Sequence, residues 1–378
     1  MNQMSVDLTA QRGESYRVLE MAKETVVLAQ KGILGYLKLF REKQNQFPFN
    51  PGLPEDENVF TPLPPPPIPS AFSVVATDGS QVAPTHHEIA LCYLLNIGKI
   101  IYTYGTGDPV IQESQPFLFH KKEDILWNGN LISEDILAMR RTLFEAYALQ
   151  ELGKRAKERG YPLLCMTDGP LVHWPWQTFP EEVQKEAFGH YIRVLDLFLE
   201  NQIPICGYIS FSRSVDMLNF LRIPLCPYRD LECSKHCPTK HACDPLSSLR
   251  DTQVVEGILR EGERTGIFWN TNLPLMDRYQ QHTIGFFYLH GGGEVAKVEI
   301  PQWVARNPTL LSLTHTVVYD QIQKGRGYPI TLSEAHNQAV VGSTERKHFF
   351  MMLEKNMVQQ GLRVTISGKE RRKRQGIA

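Results

Sequence analysis

Apolar positions recur at helical spacing through residues 15–43: Tyr16, Leu19, Met21, Ala22, Val26, Leu28, Ala29, Ile33, Leu34, Leu37 and Phe40. The stripe predicts one long amphipathic helix, weakened in its middle by Gly32 and Gly35. A stripe this broad needs cover, either from the rest of the chain or from a partner subunit. The pattern then gives way to a proline-rich connector, residues 47–70, containing Pro64-Pro65-Pro66-Pro67. Polyproline is stiff and extended, so this stretch reads as a spacer that stays out of sheets.

From residue 71 the period changes. Residues 72–76, 89–95 and 99–104 read as strands, the last two joined by a turn at Asn96-Ile97-Gly98. A strong helix follows over 133–159, with Ser133 as N-cap and Glu134 and Asp135 in its first turn. Residues 163–166 and 203–210 read as strands around a helix over 181–201, and 266–269, 284–289 and 295–300 as further strands. Helices over 332–341 and 345–360 close the chain. Antiparallel strands first, then strands alternating with helices, predict an α/β fold: a mixed sheet flanked by helices. The expected organisation is an N-terminal helix over 1–46, a linker over 47–70 and one domain over 71–378 with a cysteine-rich insertion at 226–248.

Two of the strands end alike. Val74-Val75-Ala76-Thr77-Asp78-Gly79 and Leu164-Cys165-Met166-Thr167-Asp168-Gly169 each run from apolar residues into Thr-Asp-Gly. Asp-Gly is a common turn pair. At the end of a rigid strand it also presents a carboxylate where glycine lets the backbone turn. Two such ends can bring two acidic groups together, and paired carboxylates hold divalent ions that carry out phosphoryl-transfer chemistry.

Composition narrows the class. The chain has 378 residues, 42% hydrophobic and 21% charged, with a net charge of −1. It is an ordinary globular protein rather than a polycation, so nucleic-acid contacts must come from local basic patches. The clearest patch is the tail at 369–374, a run that also fits a solvated chain end. No stretch has the length and purity of a membrane span, and Asp7 and Glu14 stand where a secretion signal needs an apolar core. Seven cysteines, four of them crowded together, do not resemble a secreted disulfide framework. A cytoplasmic location is expected.

Other polar groups could join the aspartates. Arg141 and Glu145 are four apart on the predicted 133–159 helix. Spacing alone favours a surface ion pair there; the alternative is a third acidic ligand steadied by a cation. Further on, Gly327-Tyr328-Pro329 precedes a helix that Ser333 can cap and that carries His336. A structural histidine is the simpler reading; a metal ligand or general acid is the functional one.

Taken together, the order Asp-Gly-Ser, Arg-x-x-x-Glu, Asp-Gly-Pro-Leu and Tyr-Pro-x-x-Leu-x-x-Ala-His resembles the NurA nuclease family from about residue 72 to residue 348. The resemblance implies an RNase H-like core related to the PIWI domain. It implies a manganese-dependent nuclease, with magnesium as the substitute ion, that degrades DNA ends 5′ to 3′ and cuts single strands in end resection and double-strand break repair. It implies a homodimer working with the hexameric ATPase HerA, and single-stranded DNA and duplex ends as substrates. Carried over, it puts Asp78, Glu145, Asp168 and His336 at the metal ions and Tyr328 at the scissile phosphate. Arg213, in Ser210-Phe211-Ser212-Arg213, would contact phosphate.

The resemblance is silent on Cys226, Cys233, Cys237 and Cys243, separated by six, three and five residues. Four thiols so close can ligate zinc or an iron–sulfur cluster, with His236 and His241 as substitutes, or simply stay reduced. Cys92, Cys165 and Cys206 lie in apolar strands and read as core residues. Trp174, Trp176 and Phe179 could stack on bases but read first as packing residues. A non-catalytic DNA-binding or adaptor subunit with a cysteine-held metal is the competing function, and a nuclease directed at RNA a third.

Overall fold

A computed structural model describes residues 2–43, 47–84, 91–127, 129–228, 230–237 and 243–361. The basic run at 369–374, His241 and the first residues of the expected 89–95 strand lie outside them. The chain divides into two compact units. One contains Met1–Ser70, Leu164–Phe179 and Leu195–Ile330; the other contains Ala71–Leu163, Pro180–Val194 and Thr331–Ala378.

In the first unit the amphipathic stripe becomes the helix Asn2–Lys43. Its buried face is Ala22, Val26, Ala29, Ile33, Leu37 and Phe40. These join one core with Met217, Leu218 and Leu221 of the helix Asp216–Leu225 and Val254 and Val255 of Asp251–Glu256. That face is covered by the helix's own unit, while Tyr16, Met21, Leu28 and Leu34 of the same stripe stay exposed. Each larger aliphatic side chain buried there contributes about 1.5–3 kcal/mol.

The proline-rich stretch does not stay out of the sheet. Leu53–Pro54 pairs antiparallel with Phe268–Trp269, the Glu55 N–H donates to Ile267 O at 2.9 Å, and Leu63 bridges Arg264. The pairing is possible because Leu53–Pro54 forms the end of this unit's strand order, where a proline's missing donor costs no ladder bond. From that edge the strands follow as Phe268–Trp269, Ile284–His290, Val295–Pro301, Ile205–Ile209 and Leu163–Asp168. Neighbours are antiparallel except the last pair, which is parallel with Asp168 opposite Tyr208. The helices Asp216–Leu225 and Pro308–Lys324 were not expected. The second carries a legible start signal, since Pro308 occupies its first turn and the Asn307 side chain accepts from the Thr309 and Leu310 N–H groups.

In the second unit Phe72–Val82, Tyr93–Tyr104 and Ile111–Phe119 form an antiparallel meander. The helices Glu134–Lys157 and Ser343–Gln359 belong here, with nearly all of Ile330–Ala339. Ser133 caps the first as expected, accepting from the Ile136 N–H at 3.3 Å. Two expected turns are absent. The strand Phe72–Val82 runs straight through Asp78-Gly79, and Tyr93–Tyr104 runs straight through Asn96-Ile97-Gly98. Ile97 is fully buried and Gly98 stands opposite Asp78. Both glycines serve close approach rather than turning. The α/β class with mixed pairing and flanking helices is as expected.

Candidate active site

Asp78 sits in the middle of a strand, which fixes its backbone. A Cβ on Gly98, its cross-strand partner, would collide with Ala335 O and lie 2.6 Å from Ala339 N. Glycine there lets the helix Ile330–Ala339 rest its backbone directly on the strand. The Ser80 hydroxyl donates to Ala339 O at 2.5 Å and the Asn96 amide donates to the same oxygen at 2.8 Å, which fixes the helix end. His336 on this helix brings Nδ1 to 2.8 Å from Asp78 Oδ2. The Asp78 side chain is 21% exposed and the His336 ring 63% exposed, so the pair opens to solvent.

Glu145 arrives from the helix Glu134–Lys157. The Thr77 hydroxyl donates to Glu145 O at 2.9 Å, pinning that turn of helix to the residue before Asp78. The Glu145 carboxylate lies against Gly79, whose missing side chain makes the room: a Cβ there would collide with Glu145 Oε1 and stand 2.8 Å from Arg141 Cγ. Arg141 Nε is 3.1 Å from Glu145 Oε1, as an ion pair without an aligned hydrogen bond. Spacing alone favoured a surface pair, but the Glu145 side chain is only 16% exposed and faces the strand. Asp78 meets His336 on one face of the strand, whereas Glu145 packs at Gly79, the next position, which in an extended strand faces the other way; all three belong to one unit.

Carboxylates are the donors that manganese and magnesium sites use, and an imidazole is a ligand for transition metals such as manganese. The residues fit such an ion by chemistry. As placed, Asp78 is bonded to His336 and Glu145 is paired with Arg141. Among the described residues no three His, Cys, Asp or Glu side chains are arranged to hold a metal ion.

A family model described as the NurA domain matches residues 72–341, most of the chain. The chain belongs to the NurA family. Among solved structures it is similar to the NurA nuclease from Sulfolobus solfataricus, with 14% identity over 87% of this chain and 93% of that one and a TM-score of 0.49. It is also similar to LC9-RNase H1, a type 1 RNase H (10% identity, 41% of this chain, 70% of that one, TM-score 0.22). The catalytic domain of human endonuclease V is a third (12% identity, 86% of this chain, 98% of that one, TM-score 0.30). No curated protein matches the chain.

The remaining expected site residues of this NurA-family chain, Asp168, Tyr328 and Arg213, belong to the other unit. Asp168 is exposed and ends its strand as expected, with Gly169 turning at φ +105° and its N–H donating to Tyr208 O at 2.8 Å. The next turn is held from beneath. Glu299 accepts from the Leu171 and Val172 N–H groups at 2.8 and 3.2 Å, while the Tyr279 hydroxyl donates to Leu171 O at 2.9 Å. Glu299 is 2% exposed and stands 3.4 Å from Lys297, which reaches Asp216 at 2.8 Å. Sequence reasoning passed over Glu299 and Lys297. Their signal was two charges alternating inside an otherwise apolar strand, and a charge buried there needs a partner.

Tyr328 meets Tyr208 edge-on, ring centroids 5.6 Å apart. The Tyr208 hydroxyl is pushed above its ordinary range chiefly by burial, then by Glu294, with Tyr328 and Asp168 adding to it. Asp168, Tyr208 and Tyr328 therefore share one neighbourhood. Arg213 is exposed. Trp176 is buried and stacks on His173 with centroids 4.2 Å apart, which makes it a packing residue.

All seven cysteines carry free thiols. Cys92, Cys165 and Cys206 are buried in the strand-rich core as expected. Burial first, and then neighbouring thiols of the quartet, raise Cys226 and Cys233 above the ordinary thiol range, although the described cysteines are not arranged to hold a metal ion. His236 is not directed at them. Its Nε2 is 2.8 Å from Asp230 Oδ2 and its ring stacks on Tyr228, so its expected part as a substitute ligand does not hold in this arrangement.

Proposed function

We propose that this chain is a divalent-metal-dependent DNA nuclease that trims DNA ends 5′ to 3′ and cuts single strands, in end resection and double-strand break repair. The observation that carries the reading is the Asp78–His336 pair, held at the middle of a strand and open to solvent, in a chain whose residues 72–341 match the NurA domain. Asp78, Glu145 and Asp168 are the carboxylates that would hold manganese or magnesium. Bound there, the ions supply Lewis-acid stabilisation of the attacking and leaving oxygens and a water activated near neutral pH. His336, with its ring open to solvent, adds a nitrogen ligand or protonates the leaving oxygen. Tyr328 orients the scissile phosphate, and Arg213 contacts a neighbouring phosphate.

The same reading takes the protein as a cytoplasmic homodimer working with a HerA-type hexameric ATPase, which would feed DNA to the site. The four clustered thiols offer the donors of a zinc or iron–sulfur site in the 226–248 insertion. Metal analysis and a visible absorption spectrum of the purified protein distinguish those two.

Digestion of labelled single-stranded DNA with and without manganese tests the central claim. Wild-type protein cuts and Asp78→Asn does not, while the two share one unfolding temperature. Intact DNA with the wild-type protein, or equal cutting by both, overturns it. The Arg141 guanidinium on Glu145 favours the second reading, a DNA-binding adaptor whose acidic site is filled by a protein cation. That protein binds the labelled strand and leaves it whole. An RNA strand in the same assay tests for an RNA-directed nuclease.

A further inference from the structure

Parallel pairing of Leu163–Asp168 with Ile205–Ile209 carries both carboxyl ends to the same edge. In open α/β sheets ligands bind at that edge. One end presents Asp168. The other leads within two residues to Phe211, whose side chain is an outlier in two respects. It is 82% exposed, the most exposed of the large hydrophobic side chains among the described residues. Its backbone is also left-handed, at φ +45°, a region that residues other than glycine seldom adopt.

The strained turn is held by design of the local hydrogen bonds. Glu294 accepts from the Phe211 N–H at 3.0 Å, from the Ser210 hydroxyl at 2.7 Å and from the Tyr208 hydroxyl at 2.9 Å. One carboxylate therefore fixes three successive features: the tyrosine opposite Asp168, the serine after the strand, and the backbone of the phenylalanine. A packing residue would be turned inward by such a scaffold. Here the scaffold turns an apolar ring outward and keeps it there. Strain maintained around an exposed side chain points to function. Arg213, also exposed, follows two residues later and adds a cation for the backbone of a passing strand.

We propose that Phe211 is a stacking platform for an unpaired base of the single-stranded DNA substrate, held upright by Glu294 beside the strand end that carries Asp168. Aromatic faces stack on any base, and each such contact strengthens single-strand binding without reading sequence. The proposal rests on the nuclease reading for its choice of substrate, but its test does not need cleavage.

The experiment is binding of the full-length protein to fluorescein-labelled oligo(dT), and to an abasic oligomer of equal length, by anisotropy in the presence of a chelator. Both strands carry the sugar–phosphate backbone; only oligo(dT) carries bases. Phe211→Ala is expected to weaken oligo(dT) binding about tenfold and to leave the abasic strand bound as by wild type. Phe211→Trp restores the oligo(dT) affinity. Equal affinity of Phe211→Ala and wild type for oligo(dT) overturns the proposal, as does an equal loss on both strands. If the wild-type protein fails to cut DNA with manganese yet loses base-dependent binding on Phe211→Ala, the nuclease reading falls and the stacking role stands. If it cuts DNA and the variant binds unchanged, the stacking role alone falls.

Discussion

Gly79→Ala displaces the carboxylate of Glu145, a proposed metal ligand, without replacing the residue. The new methyl would stand 2.8 Å from Arg141 Cγ and closer still to Glu145 Oε1, whereas ordinary contact begins at 3.4 Å. The obstructing atoms must therefore retreat by at least about 0.6 Å, the difference of those two distances, and Glu145 Oε1 by more. Both obstacles belong to flexible side chains, so the strand itself need not move. Overpacking of this kind costs about 1–3 kcal/mol, and exchanging a strand glycine for alanine returns about 0.5–1 kcal/mol. The net loss is on the order of 1 kcal/mol, small enough for the protein to stay folded. Activity responds far more. Displacing a reacting or ligating group by about 1 Å costs about a hundredfold in rate, so the variant should cut single-stranded DNA with manganese some ten- to a hundredfold more slowly. The assay is initial cleavage rate at saturating manganese, paired with thermal unfolding. Cleavage within about twofold of wild type would show that the place of the Glu145 carboxylate at Gly79 is irrelevant to the chemistry, and Glu145 would then lose its proposed role as a ligand.

Other substitutions probe the supports. In Gly98→Ala the methyl meets the backbone of Ala335 and Ala339, which cannot swing aside; a stability loss of about 3 kcal/mol in urea, with the His336 helix displaced, is expected, and an unchanged midpoint would contradict the close packing. Glu299→Gln takes a buried charge from Lys297 and disturbs the acceptor of the Leu171 and Val172 N–H groups beyond Asp168. It should cost about 2–3 kcal/mol and raise the manganese concentration needed for half-maximal cleavage; loss of stability with unchanged manganese demand would make Glu299 purely structural. Asp251, wholly buried, accepts from the Met217 and Leu218 N–H groups and the Tyr288 hydroxyl, and burial pushes its carboxyl from 3.8 up to about 7. Between those values the folded chain keeps a proton that the unfolded chain has released. Stability therefore falls as pH rises from about 4 to about 7, by a few kcal/mol. Asp251→Asn, which keeps an acceptor for the helix N–H groups, should flatten that decline in denaturant titrations at pH 5 and pH 8, and an unaltered slope would assign it to other groups.

The two aspartates of the candidate site, Asp78 and Asp168, were legible in the sequence because strands and turns announce themselves locally. Asp168 ends its strand and Gly169 turns after it, as an apolar run closed by Thr-Asp-Gly predicts. Asp78-Gly79 has the same letters and a different job: the strand continues to Val82, and its glycine makes room for a side chain from a helix more than sixty positions later. Nothing within the run distinguishes the two cases, since a missing Cβ serves equally a turn and a close approach. Gly98 repeats the lesson. It was read as a hairpin turn and instead receives the backbone of the helix bearing His336. What local patterning hides is thus tertiary contact, and the functional groups it missed follow the same rule. Glu299 acts through the turn beyond Asp168, and Glu294 through the backbone of Phe211. Each carboxylate is separated from its partners by more than eighty positions, so its purpose exists only once the sheet has formed. The glycines are therefore the better markers of the site's geometry than the acids. Acids at strand ends can be counted along a sequence, but only the folded chain tells a glycine that bends from one that yields.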